Sequence, residues 1–138
     1  MGGSHTLVIK AELARLEEVR QFVESSAKSL QADERTISDL RLAVVEAVTN
    51  IIIHGYKNRE GTIKISVDRN AVAVIVCLLD RAPIFDPSLY VTPGPGVSPE
   101  QKTPGGFGIR LIKQVMDEVS YRVSATGGNE LTLIKHTG

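Results

Sequence analysis

The order of patterns along the chain predicts an α+β fold: a two-layer sandwich with helices gathered on one face of a mixed, mostly antiparallel sheet. Three observations carry that prediction. Helix-period and strand-like segments follow in the order β-α-α-β-β-loop-α-β-β; Ala71 to Leu79 runs for nine residues without a charge; and all six prolines fall between positions 83 and 104. With 138 residues, 42% of them hydrophobic, the chain has the length and core material of a single domain spanning 1–138.

Thr6 to Ala11 alternates as a short first strand. From Ala14 to Leu30 the apolar residues Leu16, Val19, Phe22, Val23, Ala27 and Leu30 recur at gaps of three and four, with charges on the other face, which is the helical period. A second helix starts at an Asp33–Thr36 or Thr36–Asp39 cap and runs to Ile53 or His54, with Gly55 as its stop. Gly61 to Asp68 places Ile63, Ile65 and Val67 on one face of a half-exposed strand, and Arg69-Asn70 fits a tight turn. Ala71 to Leu79 reads as a central strand buried on both faces, ended by Asp80. Gly105 to Met116 is a glycine-opened helix; Val119, Tyr121, Val123 and Ala125 alternate as a strand; Gly127-Gly128 turns the chain; Leu131 and Leu133 mark the last strand. The stretch Pro83 to Pro104 is too proline-rich for regular structure, and a loop of that length within one domain reads as a lid.

Sixteen basic residues balance sixteen acidic ones, and only 4% are aromatic, which argues against direct nucleic-acid binding. No apolar run reaches the roughly 18 residues of a membrane span. Met1-Gly2-Gly3-Ser4-His5 lacks the charged and apolar regions of a secretory signal. Cys77 is the single cysteine, so no internal disulfide forms; with three scattered histidines, this argues against structural zinc and for a reducing cytoplasm.

Three places carry residues suited to chemistry. Glu46 is the sole charge between Leu42 and Ile53. Asn50 lies four residues on, roughly 40° around and about 6 Å along the axis, and His54 continues the ridge. A carboxylate on an apolar helix needs a partner. Either Glu46 bonds a backbone group and Asn50 a neighbouring strand, or the two form a cleft wall. In the latter case Glu46 deprotonates a hydroxyl or water and Asn50 offers an oxygen to a hard cation such as Mg²⁺. Gly105-Gly106-Phe107-Gly108-Ile109 opens a helix with no acidic residue before Asp117, the make-up of a phosphate site, with Arg110 read as a solvated residue. Asp80, at a strand end, is either a turn residue or an acceptor for the exocyclic amine of a base.

Taken in order, Glu46-Ala-Val-Thr-Asn50-Ile-Ile-Ile-His54-Gly55-Tyr56, Asp80, the proline-rich loop and Gly105–Ile109 resemble the successive boxes of the GHKL, or Bergerat-fold, ATPases. The Asn-x-x-x-His-Gly-Tyr ending, Asp86-Pro87 and the segment Gly128–Leu133 are similar to one branch, the anti-sigma factor serine/threonine kinases. The resemblance implies an ATP-binding kinase in which Asn50 binds the Mg²⁺ that bridges the phosphates and Glu46 is the base for a partner's serine. It further implies that Asp80 accepts from adenine, that His54, Ala82, Pro83 and Gly105 belong to the nucleotide site, and that the backbone of Gly106, Phe107 and Gly108 holds phosphate oxygens. Thr132 corresponds to a threonine near the adenine end, and Arg20 to a partner-contacting arginine. The implied partners are a sigma factor and an anti-sigma-antagonist protein in a partner-switching pathway, with a homodimer as the implied assembly.

Two departures stand against that pattern. The Asp-x-Gly-x-Gly box reads Asp80-Arg-Ala82-Pro-Ile84, without either glycine, so Ala82 carries a Cβ where close backbone approach to adenine is expected. The late Gly-Thr box is altered to Asn129-Glu130. The alternative reading is therefore a non-catalytic anti-sigma or adaptor module with a degraded nucleotide site.

Overall fold

Backbone pairing decides which side chains share a face, and here it builds one five-stranded antiparallel sheet. The computed structural model of the chain describes residues 4–83, 106–125 and 127–137, with 106–109 as backbone alone. Its elements are β1 (His5–Lys10), a 3₁₀ turn (Leu13–Arg15), α1 (Leu16–Ser29), α2 (Glu34–Asn50), a π-helical turn (Ile51–Gly55), β2 (Thr62–Arg69), β3 (Ala73–Asp80), α3 (Gly106–Val115), β4 (Glu118–Val123) and β5 (Asn129–His136). The strand order is β1-β2-β3-β5-β4. Beyond Pro83, the expected lid lies outside the described residues, and Gly105 with it.

Register aligns the apolar parity of every strand. Leu7 stands opposite Ile65, Ile65 opposite Leu78, Leu78 opposite Leu131 and Leu131 opposite Tyr121, giving one row across the sheet. Ile63, Ile65, Val67, Val74, Val76, Leu78 and Leu133 on this parity are fully buried beneath the helices. The opposite parity of β3, Ile75, Cys77 and Leu79, is half-buried on the other face. That corrects the expectation of a strand covered on both sides. The uncharged run reflects the strand's central place in the sheet, not a second helical layer among the described residues.

α2 is the middle helix, packed against α1 on one side and α3 on the other. Its buried face is therefore broad: Leu40, Ala43, Val44 and Val48 are fully buried, with Val45 and Ala47 nearly so, while Leu42 is exposed. α1 buries the single stripe Val19, Val23 and Ala27, and its charged residues face out. Asp33 caps α2, its Oδ1 accepting from the Thr36 amide at 2.7 Å. At the end of α1, Gln31 takes φ 64°; its amide donates to Lys28 O and that of Ala32 to Ala27 O, the paired bonds that close a helix C-terminus. The Asn70 side chain makes the β2–β3 turn, accepting from the amides of Val72 (2.9 Å) and Ala73 (2.8 Å). Lys135 on β5 ties the layers together, donating to Val115 O at the end of α3 (2.7 Å) and pairing with Asp39 of α2 (2.9 Å). Among the described residues no helix is long and apolar enough to cross a membrane.

Candidate nucleotide site

Asn50 is the last residue of α2, where the regular helix gives way to the wider π turn. The Tyr56 amide donates to Ile51 O (2.8 Å), a five-residue span, and the Asn58 amide to Ile52 O (2.9 Å). His54 therefore lies in a π turn and not, as the sequence pattern suggests, in a further regular turn of α2. It sits half-buried within the π turn, and burial holds its imidazole below the usual histidine range.

Glu46 is half-buried, and among the described residues it has no hydrogen-bond or ion-pair partner. Asn50 is 5% exposed, and its side-chain Nδ2 is buried with no hydrogen-bond partner. The structural explanation for these two residues, a backbone bond for one and a strand for the other, is thus not realised among the described residues. An unsatisfied amide in a core costs about 1–3 kcal/mol. Rotating the amide exchanges nitrogen and oxygen, so the position can present either a donor or an acceptor to a ligand. Such an orphaned atom fits a phosphate-bound cation or a phosphate oxygen.

Asp80 ends β3 on the helix-facing side of the sheet, beside Ile63 on β2 and Asn129 on β5. Its Oδ1 accepts from the Ala82 amide (2.9 Å) and from Asn129 Nδ2 (2.8 Å). Burial pushes the carboxyl above the usual range, against the opposing pull of these two bonds. Ala82 is 3% exposed and belongs to the apolar core, while Pro83 is exposed. Gly128 closes in from the β4–β5 turn: at φ 84°, a Cβ placed there would stand 2.0 Å from Asp80 O. Tyr56 braces the same strand end. Its hydroxyl donates to Thr62 O (2.6 Å) and accepts from the Arg81 amide (2.8 Å), so the end of the α2 segment is fastened to both β2 and β3. Gly61 makes room for the ring, since a Cβ there would lie 2.2 Å from it.

α3 begins at Gly106 and lies beside α2, so the Gly106, Phe107 and Gly108 backbone occupies the first turn of a helix neighbouring the Glu46–Asn50 helix. Free amides at such a helix start face incoming anions. Arg110 is exposed. Arg20 is exposed and paired with Glu17 at 3.2 Å.

Thr132 requires a correction. It stands opposite Cys77 and Ser120, the parity facing away from the helices, whereas Asp80 has the helix-facing parity. The residue beside Asp80 is Asn129, which sequence reasoning treated only as an altered box. The signal was present: Leu131 and Leu133 are core residues, so the intervening Thr132 must face outward, and Asn129 shares the parity of the leucines.

A comparison with protein families matches residues 9–135 to the histidine kinase-like ATPase domain. The chain belongs to that family. The resemblance noted in the sequence therefore holds, and the mixed α+β architecture with its five-stranded sheet is consistent with the Bergerat fold. Among curated relatives, the anti-sigma F factor of Bacillus subtilis is 33% identical over 119 residues, covering 85% of this chain and 81% of the relative. An anti-sigma F factor from a Thermoanaerobacter species is 29% identical over 120 residues, covering 86% and 83%. The serine/threonine-protein kinase BtrW of Bordetella bronchiseptica is 29% identical over 99 residues, covering 71% and 69%. The segment His54-Gly55-Tyr56 that follows Asn50 ends on an aromatic hydroxyl. In this chain that hydroxyl bonds the backbone next to Asp80.

Proposed function

We propose that this histidine kinase-like ATPase domain, 1–138, is an ATP- and Mg²⁺-dependent protein serine/threonine kinase of the anti-sigma type. The observation that carries the reading is the pair on α2: a buried amide without a partner at Asn50, one turn beyond a carboxylate that no described residue engages at Glu46. The names of the relatives support both the anti-sigma and the kinase parts.

Mg·ATP, when bound, supplies a phosphoryl group whose charge is partly neutralised. Asn50 would hold the metal, the Gly106–Gly108 backbone the phosphates, and Asp80 the adenine amine. Glu46 takes the proton from a partner's serine or threonine hydroxyl, and its half-buried setting on an apolar helix leaves the carboxylate partly shielded from water beside that hydroxyl. The protein that supplies the hydroxyl is an anti-sigma-antagonist, and a sigma factor is the competing partner, with Arg20 at the contact surface and two copies of the chain in the assembly. Phosphorylation adds charge at the antagonist interface and breaks it, and the cytoplasm is where such a switch acts.

Glu46→Gln keeps the shape of the side chain and removes the base. The expected outcome is unchanged Mg·ATP affinity by calorimetry and at least about a hundredfold slower phosphate transfer to an antagonist-type protein. Transfer at the wild-type rate would overturn the assignment. The non-catalytic reading draws on the missing glycine at Ala82, and no heat of binding with Mg·ATP would favour it.

A further inference from the structure

Resting on the adenine-nucleotide reading above, we infer that Asn129 is the positioning residue for purine preference, acting through a Tyr121–Asn129–Asp80 hydrogen-bond relay. Asn129 is 3% exposed and stands directly opposite Asp80 across the β3–β5 ladder. Its Nδ2 donates to Asp80 Oδ1 (2.8 Å) and lies within reach of Ala82 O (3.4 Å) and Pro83 O (3.3 Å). Its Oδ1 accepts from the Tyr121 hydroxyl on β4.

The relay has one sense. A tyrosine hydroxyl donating to Oδ1 fixes which way the amide points; a flipped amide would set its oxygen against the Asp80 carboxylate. With the amide fixed, two donors converge on a single carboxylate oxygen, Asp80 Oδ1: Asn129 Nδ2 and the Ala82 amide. Among the described residues nothing donates to Oδ2. The carboxylate is thereby held in one rotamer and turned into an oriented acceptor. A purine with a 6-amino group offers a donor to such an oxygen, while a 6-oxo purine sets an oxygen against it. The carboxylate provides the attraction; the relay gives it direction, and direction is what separates the two bases.

The test compares Mg·ADP with Mg·IDP, which differ only around position 6 of the base, by calorimetry on the full chain. Wild type is expected to bind Mg·ADP about tenfold or more tightly than Mg·IDP. Asn129→Leu, of similar volume, is expected to weaken Mg·ADP about tenfold and Mg·IDP less than about twofold. The acid limb of Mg·ADP binding should also move to higher pH, because a bond that favours the ionised carboxylate is gone. Asn129→Thr, which keeps a donor at the same register position, should recover most of the preference. If Asn129→Leu does not fold, Tyr121→Phe decides: a preference reduced about threefold supports the relay, and an unchanged one overturns it. An Asn129→Leu variant with wild-type preference, or one that loses both nucleotides equally, also overturns it. Wild type that binds no adenine nucleotide would instead defeat the functional reading on which the relay rests.

Discussion

Replacing Asn50 by leucine should make the ligand-free protein more stable while abolishing its response to nucleotide. The side chain is 5% exposed, its Nδ2 has no hydrogen-bond partner, and its neighbours along the chain, Ala47 and Val48 on α2 and Ile51 in the π turn, are buried and apolar. Leucine is close in volume and carries no polar atom, so the substitution removes a desolvation penalty of about 1–3 kcal/mol. Better helix propensity adds a few tenths more, and imperfect packing of the branched end takes back a similar amount. A net gain of about 1–2 kcal/mol raises the melting midpoint by about 4–8 °C for a chain of this size. The ligand response runs the other way. Saturation with Mg·ADP at about a hundred times the dissociation constant stabilises wild type by about 2.7 kcal/mol, an upward shift of about 10 °C. The Asn50→Leu variant should show none of it. Thermal unfolding followed by circular dichroism, with and without Mg·ADP, reads both effects on the same samples. A variant that melts below wild type without ligand would mean that the amide is satisfied and structural. A variant that keeps the ligand shift would mean that Asn50 does not touch the nucleotide. Either result refutes the reasoning.

Asp80→Asn follows the same logic with a pH signature. The folded carboxyl titrates above its unfolded value, so the native state binds the proton more tightly and ionisation of Asp80 opposes folding as pH rises. The variant should therefore gain stability relative to wild type above the raised value and lose that advantage as pH falls below the ordinary carboxylate range, as urea midpoints across pH would show. Gly128→Ala should cost about 2–4 kcal/mol in urea unfolding, because the new Cβ meets Asp80 O at 2.0 Å and the backbone is at φ 84°. Gly127→Ala, at φ 90° with open space around it, should cost only about 1 kcal/mol, and equal losses would deny the close approach at Gly128. Asp39→Ala leaves the Lys135 ammonium, whose side chain is 18% exposed, without its carboxylate, and should lower stability by about 1–2 kcal/mol in the same assay.

How far the sequence led depended on which physical rule governed each residue. Strand and helix identity followed from period, and period is local: the gaps among Val19, Val23 and Ala27, or the alternation of Ile63, Ile65 and Val67, need only the chain itself. Layer assignment is not local. The uncharged run through Ile75, Cys77 and Leu79 reads as covered on both faces, yet lies on a half-buried sheet surface. Central position and double coverage leave the same mark on composition. The π turn after Asn50 was likewise invisible, because inserting one residue into a helical turn changes no residue type.

Parity is where the sequence carried more than was read from it. Core leucines at positions 131 and 133 commit position 132 to the outer face and position 129 to the inner one. The same argument identifies why the candidate site was detectable at all. A sequence that agrees with its fold at every level places apolar residues inward and satisfied polar ones at caps and turns. Asp33 and Asn70 obey that rule, each bonding amides two or three residues along. Glu46, Asn50 and Asp80 break it: a charge on an apolar helix, an amide buried without a partner, and a carboxylate whose burial raises its proton affinity. The Asn50 amide and the Asp80 carboxylate oppose folding, and neither is repaired by its described neighbours in a way that removes the opposition. Stability alone would replace both with apolar or neutral residues. Polar groups of this kind on α2 and at the end of β3, a strand end that the Tyr56 hydroxyl ties to the segment following α2, are what a binding site for a charged, hydrogen-bonding ligand requires, and the two stabilising substitutions, at Asn50 and Asp80, measure that requirement directly.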